Sequence, residues 1–271
     1  MKKIHCPICK INPEDEYNYF FGYYDKCPWN KDETKVLAHR TSFLNRFPNA
    51  DDEVELGTID VSTKEFTPFA KSTAWNWQQG TQLQWTIWQE KEYAVYNIKK
   101  DNTVIAQIYD FETGKTFDLP SSIYAVNSQS TYSATVNYAR LFDCRKDYGI
   151  AGLQDKCFND NAPQEDGVFI TDWARQETKM IISTAFLESS KADIHQYKQY
   201  ENHIMFNPSG TRFCFLHRYF DNAGIQQSRL FTSDLEGKDI RLLFEGFISH
   251  YDWRDDETIL AWAGKRKVLG S

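Results

Sequence analysis

NHIMFNPSGTRFCFLHR, residues 202–218, reads as two short apolar strands around an Asn-Pro-Ser-Gly turn. A polar pair stands at each end, Asn202-His203 and His217-Arg218. Apolar runs of this length bounded by turn residues are strands rather than helices. The same unit recurs as YYDKCPWNKDETKVLAHR (23–40), TQLQWTIWQEKEYAVYNI (81–98) and IYAVNSQSTYSATVNYAR (123–140), and begins again as SHYDWRDDETILAW (249–262). WNKDET in the first copy and WRDDET in the last are nearly the same words.

Each complete unit is followed by two more strands around a tight polar turn. These are ELGTIDVSTKEFTPF (55–69), AQIYDFETGKTFDLP (106–120), GVFITDWARQETKMII (167–182) and SRLFTSDLEGKDIRLLF (228–244). Four strands per repeat in a fixed order is the signature of a β-propeller blade; a β-sandwich alternates strands without repeating their order. The expectation is one all-β domain over residues 1–271, a β-propeller of four-stranded antiparallel blades. Four blades and the inner half of a fifth are present, as in the first part of a seven-bladed ring incomplete at its C-terminus. The alternative is a short propeller whose N-terminal segment completes the last blade. The best helix candidate is STAFLESSKADIHQYKQY (183–200), a polar connection.

In a hairpin, the start of one strand lies beside the end of the next. With the turn centred near Ser209 and Gly210, His203 falls opposite His217, and Asn202 opposite Arg218. The first unit likewise places His39-Arg40 beside Tyr24-Asp25. His250 begins the last inner strand. The second and third units offer Gln79 and Gln82 at the start, and Asn97, Asn137, Tyr138 and Arg140 at the exit. All inner strands of a propeller start on one rim, so four of the six histidines converge on one mouth with Arg40, Arg140 and Arg218. Such a mouth suits an anionic ligand. The blander reading is that strand-end histidines bond their neighbours, that Arg40 and Arg218 pair with Asp25 or Asp252, and that Trp75, Trp77, Trp85 and Trp88 fill the core. Trp77 is the candidate sugar platform.

GYYDKCPW with LAHR, WNWQQGTQLQW, VNYARL with DYGIAG, NHIMFNPSGTRFCFLHR and SHYDW together resemble a family of bacterial and fungal propeller proteins near the oligogalacturonate, ulvan and rhamnosyl-glucuronate lyases. The resemblance runs from about residue 20 to 262. It implies a polysaccharide lyase-like protein that cleaves an anionic oligo- or polysaccharide by β-elimination at a uronic acid. That chemistry needs a neutralised C6 carboxylate, a base for the C5 proton and an acid for the leaving oxygen. On this reading His203 or His39 is the base, Arg218 and Arg140 hold the carboxylate, and Tyr24 or Tyr138 is the acid, with His217 and His250 in support. Arg40, Asn202, Gln82, Asn137 and Trp77 complete the binding surface. Either no cofactor is needed, or a divalent metal such as Mn or Ca sits on His203, His217 and His250, with Gln82 beside them. Two other classes compete. One is a non-catalytic glycan-binding or scaffold propeller linked to surface-polysaccharide metabolism. The other is a glycoside hydrolase or transferase, which needs two carboxylates across a cleft, such as Asp25 and Asp252.

The totals set outer bounds. Apolar residues reach 41% and aromatics 15%, enough for a large core with flat rings on pleated sheets. A net charge of -7 disfavours a nucleic-acid partner, which wants a basic face. No run of about 18 apolar residues predicts a membrane span. The N-terminus has two lysines but no apolar stretch after them, so the expected compartment is cytoplasmic, or periplasmic if the true start lies upstream. Of the six cysteines, only Cys6 and Cys9 form a CxxC pair. No second pair completes a zinc site, and His5 and Cys27 are the only conceivable helpers, so free thiols are expected. There is no phosphate-binding glycine loop, GxSxG elbow or EF-hand spacing.

Overall fold

The computed structural model describes residues 7–191 and 193–264. Asn18–Phe20 (β1), Lys35–Thr41 (β2), Val54–Asp60 (β3) and Phe66–Ser72 (β4) form the first antiparallel sheet. Gln84–Trp88 (β5), Lys91–Lys100 (β6), Thr103–Asp110 (β7) and Thr116–Asp118 (β8) form the second. The third holds Ala125–Val126 (β9) and Tyr132–Thr135 (β10) and, after the helix Tyr138–Cys144 (α1), Gly167–Asp172 (β11) and Glu177–Ser183 (β12). A second helix, Thr184–Ser189 (α2), leads to Gln199–Phe206 (β13), Arg212–Phe220 (β14), Gln226–Asp234 (β15), Arg241–Trp253 (β16) and Ile259–Gly264 (β17). Within every sheet the strands bond to one another in chain order. The four sheets are the blades of an all-β propeller.

Two recurring side-chain turns explain why these strands begin and end where they do. In the first hairpins, Asn30, Asn127 and Asn207 each accept two backbone N–H groups, from residues four and five positions on, at 2.8–2.9 Å. The residue three positions on takes positive φ: Glu33 at 55°, Ser130 at 53° and Gly210 at 67°. In the outer hairpins, Asp60, Asp110, Asp172 and Asp234 accept the amide two positions on, and the first three also the amide after it. A short carboxylate or carboxamide that satisfies turn amides fixes the reversal and so the register.

Apolar side chains fill the seams between blades. Leu37, Leu56, Trp75, Leu83 and Tyr96 pack together from the first two blades. Tyr124, Ile170, Ile204, Phe213 and Phe215 belong to the largest cluster, across the third and fourth.

The structure corrects four sequence expectations. The first inner strand is β1, upstream of Tyr24, so His39 faces Phe20 and Arg40 faces Tyr19. In the hairpin 202–218, His217 faces Glu201 and Arg218 faces Tyr200, because a bulge between Asn202 and Met205 absorbs residues from β13. The exit of the third unit is not a strand: Asn137 caps α1 by accepting from the amides of Ala139 and Arg140. The expected helix over 183–200 shrinks to α2. The repeat that begins at Ser249 is present as a hairpin. β16 pairs with β15 up to Gly246, then leaves that blade and pairs with β17 from Phe247 to Trp253. His5 and Cys6 lie outside the described residues; Cys9, Cys27, Cys144, Cys157 and Cys214 are free thiols. No helix among the described residues is long and apolar enough to cross a membrane.

Candidate functional site

The bulge in β13 builds the site. His203 takes φ 56°, a left-handed conformation uncommon for a side chain of this size and of the kind that clusters at functional positions. The kink carries its ring to the segment that follows β1. There Nε2 lies 2.9 Å from the Tyr23 hydroxyl, with the two rings edge to face at 5.1 Å. The Tyr148 ring closes the other side of the imidazole at 5.0 Å and meets the Tyr23 ring edge to face at 6.0 Å. Tyr251 donates its hydroxyl to the His203 carbonyl oxygen and holds the bulge in place. The Tyr24 hydroxyl donates to the Tyr251 carbonyl at 3.1 Å and accepts from its amide at 3.2 Å, while its ring packs 4.9 Å from exposed His250.

The electrostatics hold this chain of groups neutral. Burial pushes His203 well below its ordinary value, and the nearby Arg218 and Arg145 guanidiniums push it further. Burial likewise raises the Tyr23 phenol, with Tyr148 adding to the effect. Arg218 donates from Nε to Ser228 Oγ and from Nη2 to the Ile248 carbonyl, both at 3.0 Å. Among the described residues no carboxylate lies within ion-pair distance of Arg218. Arg145 stacks 5.2 Å over Tyr148 and pairs with Asp147 at 3.3 Å. The mouth therefore combines a neutral imidazole, two adjacent phenols and a guanidinium that no carboxylate among the described residues pairs. Among the described residues His203 Nδ1 has no hydrogen-bond partner.

Of the residues expected at the mouth, the structure gathers Tyr24, His203, His250 and Arg218. The others lie elsewhere. His39 is fully buried, accepts the Thr81 amide at 3.0 Å and is lowered to about 4 by burial. A Cβ on Gly80 would stand 2.2 Å from its ring, so that position admits glycine alone. Arg40 pairs with Glu55 at 2.6 Å on the outside of the first blade. Tyr138 donates to the Ile123 carbonyl at 2.7 Å, and Gln82 donates to Gln79. Asn202 is fully buried and neither of its side-chain amide atoms has a partner among the described residues. Trp77 is half-buried, packs against Phe20, Phe43 and Trp75 at the margin of the core and donates to the Arg46 carbonyl. Asn137, besides capping α1, donates to Asp155 and Asp166. Asp25 is a buried partner of Lys26 at 2.8 Å, and Asp252 is exposed.

Arg140 and His217 serve the seam between the third and fourth blades. Arg140 spends all five N–H groups on Asp155 and on the carbonyls of Cys157, Asp160, Asn161 and Gln199. It thereby holds the loop that walls a cleft of about 1010 Å³, whose lining contains none of the mouth residues. His217 bonds Gln199 Oε1 at 2.9 Å and is lowered to about 3, first by burial and then by Arg229 and Arg140. His203, His217 and His250 do not assemble: among the described residues no three His, Cys, Asp or Glu side chains form a metal-binding group. Sequence reasoning missed Tyr23, Tyr148 and Arg145. Tyr23 stood beside Tyr24 in the first repeat, and the other two follow a helix too short to show periodicity.

No protein-family model and no curated protein matches this chain. Solved structures do. A protein assigned as a TolB from Agrobacterium tumefaciens is 10% identical with a TM-score of 0.45, over 81% of this chain and 64% of that one. An oligogalacturonate lyase in complex with manganese is 12% identical with a TM-score of 0.42, over 89% of this chain and 70% of that one. The oligogalacturonate lyase of Vibrio parahaemolyticus is 12% identical with a TM-score of 0.45, over 92% and 71%. This chain spans 64% of the length of the first of these. Scores of this size assign no activity.

Proposed function

We propose that the mouth binds the carboxylate of a uronic acid in an anionic glycan and that the Tyr23–His203 pair removes the adjacent C5 proton. The observation that carries this reading is the neutral His203 imidazole held 2.9 Å from the Tyr23 hydroxyl beside the Arg218 and Arg145 guanidiniums. A guanidinium on the C6 carboxylate stabilises the charge that develops when C5 is deprotonated. Tyr23 oxygen takes the C5 proton as its own proton passes to His203 Nε2. The C5–H electrons move into the carboxylate and then into a C4=C5 double bond as the C4–O bond breaks. The Tyr148 hydroxyl, on the ring that packs edge to face against Tyr23, protonates the departing oxygen. Tyr24 is a poorer acid because its hydroxyl is committed to the Tyr251 backbone. Among the described residues no three metal ligands gather, and the steps given are those of this chain's own side chains.

A second reading is recognition without turnover. It draws on the depth of His203, which is only 6% exposed, while the Arg145 side chain reaches solvent. Absorbance near 235 nm, where an unsaturated uronate absorbs, separates the two. The protein is mixed with uronate-containing glycans, with and without divalent metal. A rise that His203→Ala abolishes supports elimination. Glycan binding with no rise leaves a recognition platform.

A further inference from the structure

Two of the bulges in this fold fall on histidines. In β13, His203 and Ile204 together face Phe215, because pairing runs from Asn202–Leu216 to Met205–Cys214. In β16, Ser249 and His250 together face Trp262, because pairing runs from Ile248–Ala263 to Tyr251–Ala261. A bulge leaves an extra residue outside the ladder and re-aims its side chain. Both bulged histidines reach Tyr23, with ring centres 5.1 and 6.4 Å from it. The two bulges also meet each other. Tyr251, directly after the second, donates its hydroxyl to the His203 carbonyl inside the first. Two residues on, and so on the same face of the strand, Trp253 donates Nε1 to the Met205 carbonyl at 3.1 Å, where β13 resumes its ladder. In the sheet β16 neighbours β15 and β17 rather than β13, and these side-chain donors make the joint.

We infer that Tyr251 and Trp253 are positioning residues for the proton-accepting pair: by clasping the His203 and Met205 carbonyls they fix the bulge that sets the imidazole beside the Tyr23 hydroxyl. This rests on the reading of Tyr23 and His203 as that pair. The backbone at His203 takes φ 56°, a conformation that persists where its surroundings impose it. A strand that slips by one residue turns each side chain to its other face. The two donors oppose that slip. Tyr251 also fixes the other half of the pair. Its amide and its carbonyl both bond the Tyr24 hydroxyl, at 3.2 and 3.1 Å, and the Tyr24 ring lies 4.6 Å from that of Tyr23. The hydroxyl of Tyr251 thus holds His203 while its backbone holds the neighbour of Tyr23. Base and phenol are registered against one residue.

Nitrogen-15 NMR of the histidine rings in the ligand-free protein, titrated with pH, tests this beside kinetics on a uronate-containing glycan. Tyr251→Phe keeps the buried ring and drops its hydroxyl alone, and Trp253→Phe drops Nε1. His203 is lowered by burial and by the charges of Arg218, Arg145, His250 and Lys26, none of which is substituted. In either variant its Nε2 signal should shift, and its titration should move toward the ordinary value of about 6.5 as the ring gains solvent. The kcat should fall about 10²-fold with little change in KM, the cost of a misplacement near 1 Å. Tyr96→Phe, which removes a hydroxyl bond to Gln107 in the second blade, should alter none of these. His203 signals unchanged in both variants overturn the inference, whatever the rates. Altered signals with an undiminished kcat overturn it equally. Altered signals in a protein that, even unsubstituted, forms no unsaturated uronate support the clamp and sink the elimination reading.

Discussion

At the scale of single residues, the mouth depends on one strained histidine and one phenol. His203 is neutral because it is buried beside positive charge, so it can accept a proton at pH values where an ordinary imidazole is already charged. The acid limb of the kcat/KM profile should therefore fall well below 6.5, and a pH–rate series on a uronate glycan would measure it. A limb at or above 6.5 would mean that another group is the base. Tyr23→Phe removes the shared hydroxyl but keeps the ring that packs on His203 and Tyr24. Turnover should drop by about 10²- to 10⁴-fold, the usual worth of a general acid–base group, while glycan affinity measured by calorimetry changes little. Equal loss of both would make Tyr23 a binding residue.

At the scale of elements, much of the propeller was legible in the sequence because its turns are written in side chains. The outer hairpins lie where Asp60, Asp110, Asp172 and Asp234 put them, and a repeated Asp followed by polar residues is visible without coordinates. The bulge at His203 was not legible. It depends on Tyr251, forty-eight positions away, clasping the His203 carbonyl. The helix α1 was missed for a related reason: its seven residues show no period, and it is secured by the Asn137 cap and by the contacts of Arg140 with a later loop. Hairpin ends thus named Tyr24, His203, His250 and Arg218, which the structure brings near one another although in other registers, whereas residues brought in by connections stayed hidden. The turn argument has its own test. Asn207→Ala strips acceptors from the amides of Thr211 and Arg212 and should cost about 1 kcal/mol, as loss of a comparable capping side chain does. Urea unfolding would read it, and a change below about 0.3 kcal/mol would show that the strands set the turn rather than the reverse.

At the scale of the whole molecule, stability should be greatest near pH 6.5, because buried groups oppose each other across that point. His39, His203 and His217 are all lowered in the folded state. Below 6.5 the unfolded chain binds protons that the folded chain refuses, so stability falls as pH falls. Glu201 behaves in the opposite sense. It is raised from 4.5 to about 8, chiefly by burial and then by Asp166, against the opposing pull of Arg140 and the Thr184 hydroxyl. Asp166, raised by its own burial, shifts in the same direction. From 4.5 up to about 8 the folded state holds a proton on Glu201 that the unfolded state has released, so stability falls as pH rises. Each such group contributes a slope of about 1.4 kcal/mol per pH unit within its window. Below 6.5 the three histidines outweigh the carboxyls, and above 6.5 the carboxyls act alone. Glu201→Gln keeps the shape and the neutrality but removes the titration. It should flatten the alkaline decline between about pH 6.5 and 8 and, by removing the opposing titration, steepen the acid decline between 4.5 and 6.5, as measured by urea unfolding at stepped pH. His217→Gln should do the reverse, reducing the acid slope by one proton. If Glu201→Gln unfolds with an unchanged alkaline slope, the proton that secures the seam between the third and fourth blades resides on Asp166 instead.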